Sequence, residues 1–386
     1  MIALVKWMKD NGFEDETGLR LALFPQTSRG LMCLNNVPQN SVLLSIPMNL
    51  VISVDKAQSD VRNGVGGIAP TTHFTGQEIL SLWLLMEDMK GKTSFWWPYL
   101  QSLPRDYTVP FYTDKHEKQS FPTYLKGPCI EQDSLVSKSY DRLLRVVPPS
   151  FSMTEKSFGW AWFTVNTRAV YLRSTRMQEA GDCLALAPFL DMLNHSSKAK
   201  IRAGVNLACK RETDAYQILT EDRISKHEEA FISYGPHSNL KLYVEYGFIL
   251  PNNPHDVVPL SASKLIDSSS KGKLAVTDKL LFLNEIGLTQ GLVVSCSGLS
   301  WNALACLFVL QECSQKDWMR VYEAELEEEI SKDLQSRVLS AVRGELLACM
   351  TQLKGACVSV SSKIAFDLLE CHARIVDAAM RGLLTA

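Results

Sequence analysis

The sequence lacks any cysteine spacing suited to a metal. Ten cysteines and seven histidines are spread over 386 residues with no Cys-x-x-Cys and no His/Cys cluster. That argues against a metal site and against a disulfide framework. Free thiols in a reducing compartment, nuclear and cytoplasmic, are the expectation. No run approaches the ~18 apolar residues that cross a bilayer, so no membrane role is expected. A basic excess is missing too: 40 Lys and Arg against 42 Asp and Glu leave a net charge of -2. General nucleic-acid binding is therefore not expected, and the run Lys198-Ala199-Lys200-Ile201-Arg202 reads as a solvated loop as readily as a docking patch. Met1 to Trp7 is apolar but is followed by Lys9 and Asp10 and interrupted by Lys6. It has neither an h-region nor a small-residue cleavage site, so no secretory signal is expected. Its Leu4, Trp7 and Met8 spacing predicts a short amphipathic helix.

What is present suits a soluble globular protein: 46% hydrophobic and 21% charged residues. The length exceeds one ordinary core and predicts two or three packed domains. Residues 17–54 read as short strands, with Leu19 to Leu23 alternating, Ser28-Arg29-Gly30 as a turn, and Ser41 to Pro47 continuing the pattern. Gly64-Val65-Gly66-Gly67 has no strand-to-helix unit around it and reads as an ordinary loop. From Gln77 to Met89, Ile79, Leu80, Trp83, Leu84 and Leu85 recur at helical spacing, and the aromatic run Ser94 to Leu100 reads as core.

Residues 114–165 read as mostly helical, broken at Pro148-Pro149, with a cap-like Ser152 to Glu155 before Trp160. Strand-like runs return at Asn206 to Cys209, Tyr216 to Leu219 and Ala230 to Tyr234. Strands flanking a helical stretch indicate an α+β fold and not the alternating βαβ of a dinucleotide-binding domain. Past Pro259, Ile330, Leu334, Val338, Ala341, Glu345 and Cys349 mark one helix side, with Leu326, Val342 and Leu346 filling its stripe. Ile364, Leu368, Cys371, Ile375 and Ala378 repeat the spacing, predicting long amphipathic helices in a bundle. A boundary is expected around 251–275, where Pro251-Asn252-Asn253-Pro254 and Ser268 to Gly272 mark loops.

Three short motifs carry the chemistry: Asp191-Met192-Leu193-Asn194-His195, preceded by Asn166-Thr167-Arg168; Ser233-Tyr234-Gly235; and Val244-Glu245-Tyr246-Gly247-Phe248. Each residue has an ordinary reading when taken alone. A Tyr at a strand end is usually core, Asn194 can cap a turn, His195 can be a half-buried histidine, and Arg168 a surface ion pair. His227-Glu228-Glu229 lacks the second histidine of a metalloprotease motif and reads as a solvated turn before a strand. The joint occurrence, in this order, resembles the SET-domain methyltransferases, in the branch that includes the Rubisco large-subunit and actin-histidine methyltransferases.

The resemblance runs essentially end to end. It implies a SET-domain β-fold at residues 1–255 with a helical insert at about 55–165, then an all-α substrate-binding domain at 256–386. S-adenosylmethionine is the implied cofactor. The resemblance places Thr27, Arg29, Gly30 and Leu31 at its N-terminal contact, Arg168 at its carboxylate, Asn194 and His195 beside it with Asp191 supporting their turn, and Phe248 near its adenine. Tyr234 is the implied active-site tyrosine, also lining the cofactor, and Tyr246 the second catalytic tyrosine position. The zinc-binding cysteines that flank SET domains in other branches are missing, so no metal is implied.

The implied partner is a protein carrying a lysine in an extended segment, a histone tail or a non-histone protein, and the implied state is a monomer. Such chemistry needs alignment more than reactive groups. It also needs a neutral amine: at pH 7 only about one free lysine in 2,500 is neutral, a deficit of roughly 4.6 kcal/mol. Two alternatives stand beside lysine methylation. One is histidine methylation, against which Val170 counts, since the resemblance implies a polar Asn two residues after the motif arginine in the histidine-modifying relative. The other is a silent scaffold, which would have no need of Arg168, Asn194, His195 and Tyr234 together.

Overall fold

The computed structural model describes residues 2–15, 17–64, 74–172, 183–205, 214–269, 276–311, 318–322, 326–356 and 360–385. They form two compact units, Met1–Tyr107 with Asp133–Pro236, and Thr108–Gln132 with His237–Ala386. No helix among the described residues is long and apolar enough to cross a membrane.

The first unit holds three small sheets. One has the order β1-β2-β10-β7, formed by Leu19–Phe24 (β1), Ser28–Cys33 (β2), Glu229–Ile232 (β10) and Asn194–His195 (β7). The second pairs Ser41–Pro47 (β3), Ala215–Thr220 (β9) and Ile201–Val205 (β8); the third pairs Ile52–Ser53 (β4), Leu184–Leu186 (β6) and Ala169–Tyr171 (β5). Strand β9 is buried at every residue because it lies between β3 and β8 with both faces covered, so its sequence does not alternate. No strand falls between β4 and β5 among the described residues; helices occupy that stretch. One of them, Gly76–Lys90, is nearly all buried and packs on Glu155–Arg168. Trp7 meets Phe95 and Trp96 edge-on at 5.2 and 5.6 Å, which anchors the Ile2–Asp10 helix.

Several sequence expectations are corrected here. Ser28-Arg29-Gly30 does not turn: it opens β2, and the hairpin turn is residues 25–27, with Ser28 at φ 59°. The helix before Arg168 is capped by Thr154 and Ser157, whose side chains bond each other's backbone N–H reciprocally, and not by Ser152 and Glu155. Gly64 ends the helix Val54–Gly64, while 65–67 and 206–209 lie outside the described residues; Ser268 and Ser269 belong to the helix Ala262–Ser269, and 270–272 lie outside the described residues.

In the second unit the helix Lys332–Ala356 serves two cores with one stripe. Leu334 and Val338 join Leu304, Leu307 and Phe308, while Leu339, Val342, Leu346 and Leu353 join Tyr243, Val294 and Leu368. Ala341 is exposed and lies off that stripe, and Glu345 ion-pairs with Lys264 at 2.6 Å. This helical region also carries a three-stranded sheet, Val258–Pro259 (β11), Val293–Ser295 (β12) and Gly298–Leu299 (β13), too short to show alternation.

Glu78 shows how the buried helix Gly76–Lys90 starts. Its carboxylate accepts from Thr75 N at 2.8 Å in a capping box and pairs with Arg142. Burial raises its carboxyl, but Arg142, Thr75 and Ser139 outweigh that and hold it below its ordinary 4.5. A depressed folded-state pKa contributes stability above pH 4.5 that is lost as pH falls through the folded value. Glu78→Gln is expected to lower stability by about 1–3 kcal/mol at neutral pH, with the gap to wild type closing below pH 4.5 in urea titrations at a series of pH values.

Candidate active site

Three adjacent strands, β2, β10 and β7, bring Gly30, Asn194-His195 and the segment before Tyr234 together. Strand β7 is only Asn194 and His195, paired parallel to β10 in the register Phe231↔Asn194 and Ile232↔His195. That register places Tyr234 just past the paired stretch, where it is tied back twice. Its N–H donates to His195 Nδ1 at 3.0 Å, and its hydroxyl donates to the Leu193 carbonyl at 2.9 Å. The His195 and Tyr234 rings stack with centroids 5.0 Å apart and 24° between planes. An Nδ1 that accepts puts the ring proton on Nε2 of the neutral imidazole. A hydroxyl that donates to a carbonyl can act only as an acceptor toward any further group.

The other neighbour of β10 is β2, paired antiparallel through Glu229↔Met32 and Ala230↔Leu31. Gly30 must be a glycine here: an added Cβ would lie 2.8 Å from Asn194 Nδ2 and collide with Glu229 Oε1. Across that space Glu229 accepts from Asn194 Nδ2 at 2.7 Å and from Thr27 Oγ1 at 2.6 Å, while Asn194 Nδ2 also donates to the Arg29 carbonyl at 3.0 Å. Glu229 is thus the first residue of β10 and part of the site, not a solvated turn. Leu31 is fully buried, so its side chain belongs to the core.

Behind these strands lies a buried ion pair. Arg168 Nη1 donates to the Asp191 carbonyl at 2.8 Å and to Asp191 Oδ2 at 3.2 Å, and Tyr99 donates to the same Oδ2 at 3.1 Å. Burial raises the Asp191 carboxyl and Arg168 pulls it back, while burial would lower Arg168 but Asp191 and the surrounding tyrosines keep it firmly charged. Arg29 is lowered by burial and then by Arg168, and it donates to the Ser102 carbonyl at 3.2 Å. Both guanidinium groups thus feel the Asp191 carboxylate, while the Glu229 carboxylate lies on the other side of Asn194. Arg168 Nε and Asp191 Oδ1 are buried without a hydrogen-bond partner.

Tyr246 and Phe248 belong to the second unit. Tyr246 ends a π-helical turn, Leu242–Tyr246, closed by Gly247 at φ 79°; a Cβ there would lie 2.8 Å from Val109 N. Its ring stacks on His237 at 6.2 Å and meets Phe248 edge-on at 6.2 Å. Burial, then Glu245, pushes its hydroxyl up to about 12. The structure therefore groups these two with His237, and Thr27, Arg29, Gly30, Leu31, Arg168, Asp191, Asn194, His195 and Tyr234 with one another.

Residues 28–235, more than half of the chain, match the family model for the SET domain. SET domain-containing protein 4 from Mus musculus is 33% identical over 94% of this chain and 86% of its own length. The chain belongs to the SET-domain family. Further SET relatives include the ribosomal lysine N-methyltransferase set11 of Schizosaccharomyces pombe, 28% identical over 66% of this chain and 63% of its own, and the actin-histidine N-methyltransferase of Drosophila melanogaster, 29% identical over 72% and 54%. The SET domain of LSMT solved with methyllysine and AdoHcy matches in fold at a TM-score of 0.71, 18% identity, covering all of this chain and 91% of that one.

The SET match spans the strands that hold Gly30 and Asn194, includes Tyr234 just past β10, and ends before Tyr246. Glu229 and Tyr99 are the site residues that sequence reasoning missed. A period-two signal was available for Glu229, because Ala230 and Ile232 are buried while Glu229 and Phe231 share the other face. Tyr99 was read as core, correctly, with nothing local to aim its hydroxyl at Asp191. Asp191→Ala would leave Arg168 buried without its carboxylate, and a loss of about 3–5 kcal/mol is expected in denaturant unfolding. Gly30→Ala is expected to displace Glu229 and Asn194 together, which should appear as chemical-shift changes in the Asn194 amide side-chain resonances.

Proposed function

We propose that the protein is an S-adenosylmethionine-dependent protein-lysine N-methyltransferase. The observation that carries this reading is the parallel pairing of Asn194-His195 with β10, which ties Tyr234 to Leu193 and His195. The residues fit the cofactor on their own chemistry. The Asn194 amide spends both N–H groups inward, leaving its oxygen as an acceptor for an ammonium group. Arg29 and Arg168, near enough that both feel Asp191 and Arg29 also feels Arg168, suit a carboxylate. We assign His195, on β7, and the Gly30–Leu31 backbone to the nucleoside; Phe248 is assigned near the adenine from its motif alone. When bound, the cofactor supplies a methyl group on a cationic sulfur.

The chain's own task is then to orient an amine and exclude water. Tyr234, its proton committed to Leu193, offers an oxygen that can accept from an amine without acting as a base. Tyr246 keeps the role of second catalytic tyrosine on the strength of its Glu-Tyr-Gly-Phe motif alone. Burial beside the cationic sulfur would lower the pKa of an incoming lysine and so raise its neutral fraction. The helical C-terminal region is proposed to hold the protein substrate, with histone tails the first class to test. Among relatives, both lysine- and histidine-modifying enzymes occur; Val170 in place of a polar residue favours lysine.

The test is transfer of labelled methyl from S-adenosylmethionine to histones and lysate proteins, with the modified residue identified by mass. Label on lysine that falls at least about a hundredfold in Tyr234→Phe is expected, the scale of losing one aligned hydrogen-bonding group. Label on histidine would replace lysine as the acceptor, and undiminished label in the variant would sink the assignment of Tyr234. Absence of both label and cofactor binding would favour the scaffold reading.

A further inference from the structure

We propose that Glu229 is a positioning residue that sets which end of the Asn194 amide faces a ligand; this rests on the cofactor reading above. An asparagine amide has a donor end and an acceptor end of nearly equal shape, so its neighbours decide its orientation. Both neighbours of Asn194 on its inner side can only accept. One is the Arg29 carbonyl at 3.0 Å and the other is Glu229 Oε1 at 2.7 Å. A carbonyl and a carboxylate have no proton to give. The amide nitrogen therefore turns inward, and the oxygen points away from both.

Glu229 is itself held. Its second oxygen accepts from Thr27 Oγ1 at 2.6 Å, and Gly30, lacking a side chain, leaves room for the carboxylate between β2 and β7. The orientation has a chemical consequence. An outward amide oxygen accepts from a cationic amino group, whereas the reversed amide would offer it two donors and repel it. Glu229 thereby selects a ligand with an ammonium group next to its sulfur-bearing chain, through Asn194 and without touching that ligand.

Calorimetry on the full chain with two nucleosides tests this. S-adenosylhomocysteine carries the amino-acid ammonium and carboxylate; 5′-methylthioadenosine keeps the adenosine and thioether but lacks both. Because the carboxylate partners Arg29 and Arg168 are unchanged in every variant, the change between variants reports on the ammonium. Wild type is expected to prefer S-adenosylhomocysteine. Glu229→Gln, whose amide can donate and so permits the reversed Asn194, is expected to weaken S-adenosylhomocysteine about tenfold, the worth of one good hydrogen bond, with methylthioadenosine unchanged. Pairing Asn194→Asp with Glu229→Gln restores a donor–acceptor pair with the roles exchanged, and this double variant should bind S-adenosylhomocysteine more tightly than Asn194→Asp alone. Should Glu229→Gln fail to fold, Thr27→Val frees the carboxylate from its anchor and is expected to show a smaller loss confined to S-adenosylhomocysteine. Equal losses for both nucleosides, no loss for either, or a double variant no better than the single would overturn the proposal. Wild-type protein that binds neither nucleoside would overturn the cofactor reading itself, and the positioning role with it.

Discussion

Two residues of parallel β-pairing organise everything else at this site. Asn194 and His195 have no room to form a longer strand, since a turn at Leu190–Met192 precedes them and Ser196 already bonds the end of β10. Their register against Phe231 and Ile232 nonetheless fixes three things at once. It brings the His195 ring under Tyr234, it points the Asn194 amide at Glu229, and it aligns β7 with Gly30 across the width of β10. A slip of one residue would send each side chain to the opposite face, and the site would be lost without any change in composition.

Behind the strands, electrostatics supplies what the pairing does not. A buried guanidinium and carboxylate are poor sources of net stability, because desolvating both roughly offsets their attraction. Their value here is positional. Arg168 grips both the backbone carbonyl and the carboxylate of Asp191, so the turn that launches β7 is held from a helix that ends at Arg168. Tyr99, from the aromatic core, braces the same carboxylate. The turn leading into the site is therefore fixed from two elements distant in sequence, with Arg29 close enough to act on the same carboxylate.

Legibility in the sequence followed the range of the forces involved. Helix Gly76–Lys90 announced itself through Ile79, Leu80, Trp83 and Leu84 because its periodicity is local. The caps were less legible: Thr154 and Ser157 do the work expected of Ser152 and Glu155, since several hydroxyl residues nearby could have begun the helix. The turn misplaced onto Ser28-Arg29-Gly30 shows the same difficulty, because glycine serves equally as a turn former and as a strand residue that lets another chain approach. In this protein Gly30 does the second.

By itself, the sequence determined the α+β character, the helical C-terminal region and the motif set that marks the SET family, all of which rest on local pattern or short strings of residues. Tertiary structure alone decided that Thr108–Gln132 groups with the C-terminal residues, that the C-terminal region carries a small sheet, that Tyr99 reaches Asp191, and that Glu229 sits between Thr27 and Asn194. Those contacts join residues up to 248 positions apart. No periodicity of 2 or 3.6 residues records such a distance; only strand register and packing do.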